Sequence, residues 1–182
     1  MSAIVAGEIL TKFSVAAAAG NTTVGTAAGS LGDQISTTAW AGGVLNDLFD
    51  DVSGAENAAS TVDYRCLFVH NSNASNTLEN AVVYLSAETA GGASIAIAID
   101  DIAASAIGSG SAQADVIANE TTAPGAGVGA FSSPTTLGTG LSLGNIAAGS
   151  CRAFWIRRTA ANTAALSADG VTFTIAGDTG SL

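Results

Sequence analysis

Few residues in this chain could do chemistry, and their spacing decides what they can do. The only histidine, His70, lies in YRCLFVHN (residues 64–71) and shares a parity with Tyr64, Cys66 and Phe68. That places it on a strand face, whereas a general base needs a nucleophile and an orienting partner within reach. No serine stands in a G-x-S-x-G turn. Cys66 and Cys151 have no neighbours at metal-ligand spacing, so no zinc site is expected. The acidic pairs Asp50-Asp51 and Asp100-Asp101 lack the D-x-D-x-D-G spacing of a calcium loop and read as solvated turn or helix-end carboxylates. GAGVGAF, from Gly125, has the glycines of a phosphate loop without its Lys-Ser/Thr. Asn21, Asn73 and Asn119 open N-x-S/T sequons, which matter only in a secreted chain. The expectation is a non-enzyme with no catalytic residue, no metal ligand and no cofactor.

The groups left over are those that choose partners. Arg157 and Arg158 close the aromatic run CRAFWIRR, and arginine forks pair bidentately with carboxylates at interfaces. They are expected to face the carboxylates of a neighbouring subunit, with Phe13 and Trp40 as further candidate interface residues. The chain carries five basic residues against fifteen acidic ones, a net charge of −10. Such a balance excludes phosphate neutralisation and hence nucleic-acid binding, and it argues against an anionic membrane surface. The segment MSAIVAGEILTKF has no basic n-region and is broken by Glu8 and Lys12, so neither a secretion signal nor a membrane segment is expected. With no secretion signal, Cys66 and Cys151 read as two buried reduced thiols, although an immunoglobulin-like bridge between sheets is a geometric alternative.

The elements that must position these groups are strands. At 182 residues the chain suffices for one domain with its own core. The alternation in 64–71, in NAVVYLSAE (80–88), in SIAIAID and in VTFTIA, with turn clusters between, indicates an all-β antiparallel β-sandwich, immunoglobulin-like or jelly-roll-like. Ala114–Asn119 reads as a short edge strand, and 120–140, which holds both prolines, as a long surface loop. In LSLGNIAAGSCRAFWIRR (141–158) two strands flank a Gly-rich corner, the form in which a sandwich passes its chain between sheets. Leu45, Leu48, Phe49 and Val52 follow helical spacing, predicting one short helix near 44–52 stopped by Gly54. Residues 1–32 read as an extended N-terminal arm and connection, and 33–182 as the sandwich domain; within the arm, 7–15 equally reads as a strand with Ile9, Phe13 and Val15 on one face and Glu8 and Lys12 on the other.

Several segments taken together resemble a group of tailed-bacteriophage virion structural proteins. They are SLGDQIS, LFDDVSGAEN, DYRCLFVHNSN, NAVVYL, the ETTAP loop at Glu120 and LSLGNIAAG…FWIRRT, in the same order over most of the chain. The resemblance implies a non-catalytic β-sandwich component of a phage particle, assembled in the host cytoplasm, and carries no site residues. Two placements follow. One is a capsid decoration (cement) protein that forms homo-oligomers and binds the major capsid protein. The other is a tail, neck or baseplate adaptor. A carbohydrate- or receptor-binding module is a third reading, for which Trp40 is the free aromatic.

Overall fold

The computed structural model describes residues 3–16, 21–161, 163–164, 166 and 168–180. Among these, the alternating segments form strands β1 (Ile9–Val15), β2 (Gly32–Ala39), β3 (Val62–Asn71), β4 (Leu78–Glu88) and β5 (Ser94–Ile99). They continue with β6 (Ser105–Ala106), β7 (Ala114–Val116), β8 (Leu141–Ile146), β9 (Ser150–Thr159) and β10 (Val171–Thr179). A seven-stranded sheet has the order β5-β9-β3-β1-β2-β7, with β6 also on β9, and a three-stranded sheet has the order β10-β4-β8. All pairings are antiparallel, so the chain is the expected all-β sandwich.

Period two explains the layers. On β9, Phe154 and Ile156 point between the sheets, where they join Leu67, Val69, Ile95 and Ile97 of the large sheet against Val83, Leu85, Leu143 and Ile146 of the small one. The opposite parity, Cys151, Ala153 and Trp155, packs with Cys66, Phe68 and Ile35 on the other face of the large sheet, under Ala114, Ile117, Val128 and Phe131. The large sheet is thus buried on both faces, by a sheet on one side and a loop layer on the other. Gly32 allows β7 to pair closely with β2: its φ is +98°, and a Cβ there would stand 1.7 Å from the carbonyl oxygen of Asp115.

The corner at 147–149 carries the chain from β8 in the small sheet to β9 in the large one, and 72–77 carries it from β3 to β4. Asn71, fully buried, ties the two crossovers together. Its Nδ2 donates to the carbonyls of Asn76 (2.8 Å) and Ile146 (2.9 Å), and its Oδ1 accepts from the Asn73 N–H.

Two expected elements differ. Residues 44–52 form turns, and the helix, α1, spans Gly54–Ala59. The helix starts where Ser53 and Glu56 make a reciprocal capping box, and Asn46 at φ 62° interrupts the run that the apolar spacing suggested. Gly54 therefore begins a helix instead of ending one. Of the arm and strand readings of 7–15, the strand is the one formed: β1 lies between β2 and β3, and Phe13 is a core residue and not an interface one. Five β1–β3 residue pairs, from Ile9 with Asn71 to Phe13 with Leu67, build this segment into the sheet. Met1, Ser2 and residues 17–20 of that expected arm lie outside the described residues.

Because three buried polar groups depend on Asn71, Asn71→Ala is expected to cost roughly 2–4 kcal/mol in urea unfolding. A loss below about 1 kcal/mol would show that the crossovers do not rely on it.

Candidate functional site

Asp100, read from sequence as a solvated carboxylate, is completely buried. It follows β5 and reaches across the large sheet's loop-covered face. One carboxylate oxygen accepts from Trp155 Nε1 (2.9 Å) and the Asp115 N–H (2.8 Å), and the other from the Ile102 N–H (3.0 Å). Its backbone carbonyl accepts from Arg152 (2.6 Å). Asp101 and Asp115 stand beside it, with carboxylate oxygens of all three within 4.8 Å. Burial and the neighbouring charges of Asp100 and Asp101 push the Asp115 carboxyl above its ordinary range. Gly127 keeps this pocket open, since a Cβ there would lie 2.9 Å from an Asp101 oxygen. Three N–H donors already engage the inner carboxylate, so its geometry is that of a structural hub joining the loop layer to β9.

The arginines are placed by strand parity. Arg158 is directly opposite Asp63 on β3. Its Nε and Nη2 both reach Asp63 Oδ2, at 3.2 and 2.8 Å, and both residues are buried. Arg158 also binds the Asp50 carboxylate and carbonyl and lies 4.8 Å from the Phe49 ring centroid. Its carboxylate partners belong to its own chain. Arg157 points to the other face, half-buried, 5.2 Å from the Phe131 ring centroid. Arg65 pairs with Glu120, and Lys12 donates to Asn21 (2.9 Å). All five cations of the chain therefore engage internal partners.

His70 is buried beside β1, and neither ring nitrogen has a hydrogen-bond partner among the described residues. Burial, aided by the nearby Lys12 ammonium, lowers its pKa to about 4. Cys66 and Cys151 are free and buried, with burial raising both thiols, Cys151 to about 12. They occupy adjacent strands of one sheet, Cys66 opposite Trp155 and Cys151 opposite His70. That four-residue offset separates them by about 13 Å along the strands, too far to bridge.

Of the four candidate interface residues, Arg158 and Phe13 are interior and Arg157 is half-buried. Trp40, only partly buried, lines an open groove, edge-on to Phe173 with ring centroids 5.6 Å apart; the buried, paired Arg158 reaches the floor of the same groove. The groove also contains the exposed apolar residues Leu166 and, from the segment with helical spacing, Val44 and Leu45. Comparison with known protein families, curated proteins and solved structures finds no match.

Two outcomes test these assignments. Removing Arg158 leaves the Asp63 carboxylate buried and unpaired, so Arg158→Ala is expected to cost about 3–5 kcal/mol in the isolated chain. Arg157→Ala loses mainly one cation–ring contact, about 1 kcal/mol; equal losses in urea unfolding would contradict this division. For His70, the folded pKa lies below the unfolded value of about 6.5. The unfolded state then binds the proton first, so stability is lost as pH falls from about 6.5 towards 4 and is unaffected above that window. The loss is of order 1–2 kcal/mol after allowance for solvent screening. Urea midpoints across this range should flatten in His70→Phe relative to the native chain.

Proposed function

We propose that this chain is a non-catalytic structural component of a phage particle, acting as a capsid decoration protein that stabilises the shell through protein–protein contacts. The ordered resemblance of its segments to phage virion structural proteins supports the particle assignment. The structural observation that carries the binding role is the distribution of charge. Lys12, Arg65 and Arg158 are buried, Arg152 and Arg157 are half-buried, and all five have internal partners, while Asp51, Asp101 and Glu120 remain at least partly exposed. An outer surface of this kind repels nucleic acid and selects protein partners by apolar contact and cationic complementarity.

A sandwich sealed on both faces of its main sheet also suits a load-bearing role, because its core does not depend on the partner. The same architecture could serve as a tail or neck adaptor, and copy number separates the two. Quantitative mass spectrometry of purified particles is expected to find this chain in numbers comparable with the major shell protein, arranged on the shell's symmetry. A handful of copies per particle would move it to the tail. Absence from particles would end the virion assignment.

A further inference from the structure

The two flanks of the sandwich are finished differently. On one, residues 127–134 run along the outer edge of β5 and reach β4. Gly129 N–H donates to the Ile99 carbonyl (2.9 Å), Ser132 and Ile97 exchange two backbone bonds (3.0 and 2.8 Å), and Leu85 N–H donates to the Pro134 carbonyl (2.8 Å). On the other flank β10 pairs only with β4, and no described strand lies on its outer side. Its inward residues Val171, Phe173 and Ile175 pack on the core yet stay only partly buried.

Between the Val171–Phe173 end of this edge, the loop 40–54 and residues 87–95 lies a groove of about 1250 Å³. Trp40, Leu48, Phe49 and Phe173 contribute its more buried lining. Val44 (71%), Leu45 (66%) and Leu166 (45%) stand exposed in it, an unusual gathering of large apolar side chains in so polar a setting. The same groove is lined by the carboxyl-bearing Asp47, Asp51, Glu88 and Asp169. Arg158, its only cationic lining residue among those described, is neutralised by Asp50 and Asp63.

We propose that this groove receives an extended segment of another protein, apolar at alternate positions and bearing lysine or arginine between them, which pairs with the free edge of β10 at its Val171–Phe173 end. Strand addition uses the edge's main-chain groups for affinity and alternate side chains for selection. The apolar positions would cover Leu45 and Val44, and the cations would meet the carboxylates. A second copy of this chain fits poorly. Its five cations are held by its own residues, so it would bring carboxylates against carboxylates. The inference is independent of the phage assignment, since it fixes the chemistry of the partner segment and not the assembly that supplies it.

The test is an NMR titration of the full chain, ¹⁵N-labelled, with a synthetic peptide of alternating valine and lysine and with its valine–glutamate counterpart. Amide shifts from the lysine peptide are expected to concentrate in 40–54, 88–95 and 168–173. Leu45→Ser, and separately Asp47→Asn with Asp51→Asn, should each weaken binding about tenfold. Glu79→Gln with Asp178→Asn, the same charge change at the far end of β10, should leave it unaltered. Leu45 and Asp51 are exposed, and circular dichroism would verify that the variants fold. Absence of binding, shifts scattered over the surface, equal binding of the glutamate peptide, or equal weakening by the distal pair would each overturn the proposal. So would concentration-dependent shifts in the same residues without peptide, which would identify a second copy as the occupant.

Discussion

The hydrogen bond from Trp155 to Asp100 expresses the constraint on which this structure depends: a central strand with two apolar faces must be covered twice. β9 presents Phe154 and Ile156 to one side and Ala153 and Trp155 to the other, all inaccessible to solvent. The small sheet can cover only the first side. The second is covered by loops, whose backbone groups would be costly to bury without partners. Asp100 resolves this conflict by accepting at once from the Trp155 indole, the Ile102 N–H of the loop and the Asp115 N–H of β7. A neutral side chain of similar size could not accept as many bonds with comparable strength, because charge-assisted bonds are the stronger class.

Cation placement follows from the same economy of polar groups. Arg158 emerges from β9 on the inter-sheet parity, where the apolar core ends, and Asp63 is its direct cross-strand neighbour. A buried pair of this kind adds little net stability over apolar residues, but either member alone would be severely unfavourable. Retaining both therefore fixes the β3–β9 register at the end of the sandwich while withdrawing a cation from the surface. Arg65 is withdrawn by the Glu120 carboxylate and Lys12 by a hydrogen bond to the neutral Asn21 amide, which leaves the exterior mainly to the acids.

The sequence made the strands legible because period two is local. Residues 64–71 and 141–158 could be read directly, down to the corner at 147–149. The helix was misplaced because Leu45, Leu48, Phe49 and Val52 have helical spacing but are distributed between core and groove by a turn-rich loop. Its true start was signalled by Ser53 and Glu56, a shorter pattern outweighed by the apolar one. Residues 9–15 show strand alternation, but the Ala-rich stretch after them hides their partner β3, more than fifty positions away in the chain, so alternation alone does not separate a strand from an arm. Asp100 and the groove were beyond reach for a related reason. Each is assembled from segments that only the sheet topology brings together, and no local pattern encodes that.

The arginines show what strand register adds to a reading by residue type. Two adjacent arginines in an acidic chain suggest recognition, because an exposed guanidinium is a good interface group. Strand alternation, however, sends Arg157 and Arg158 to opposite faces, and each face supplies its own partner, Phe131 on one and Asp63 on the other. Recognition then passes to what these contacts leave uncovered, the apolar and acidic lining of the groove beside β10. On the proposed strand addition the polarity of binding is reversed: this chain offers carboxylates, and its partner supplies the cations.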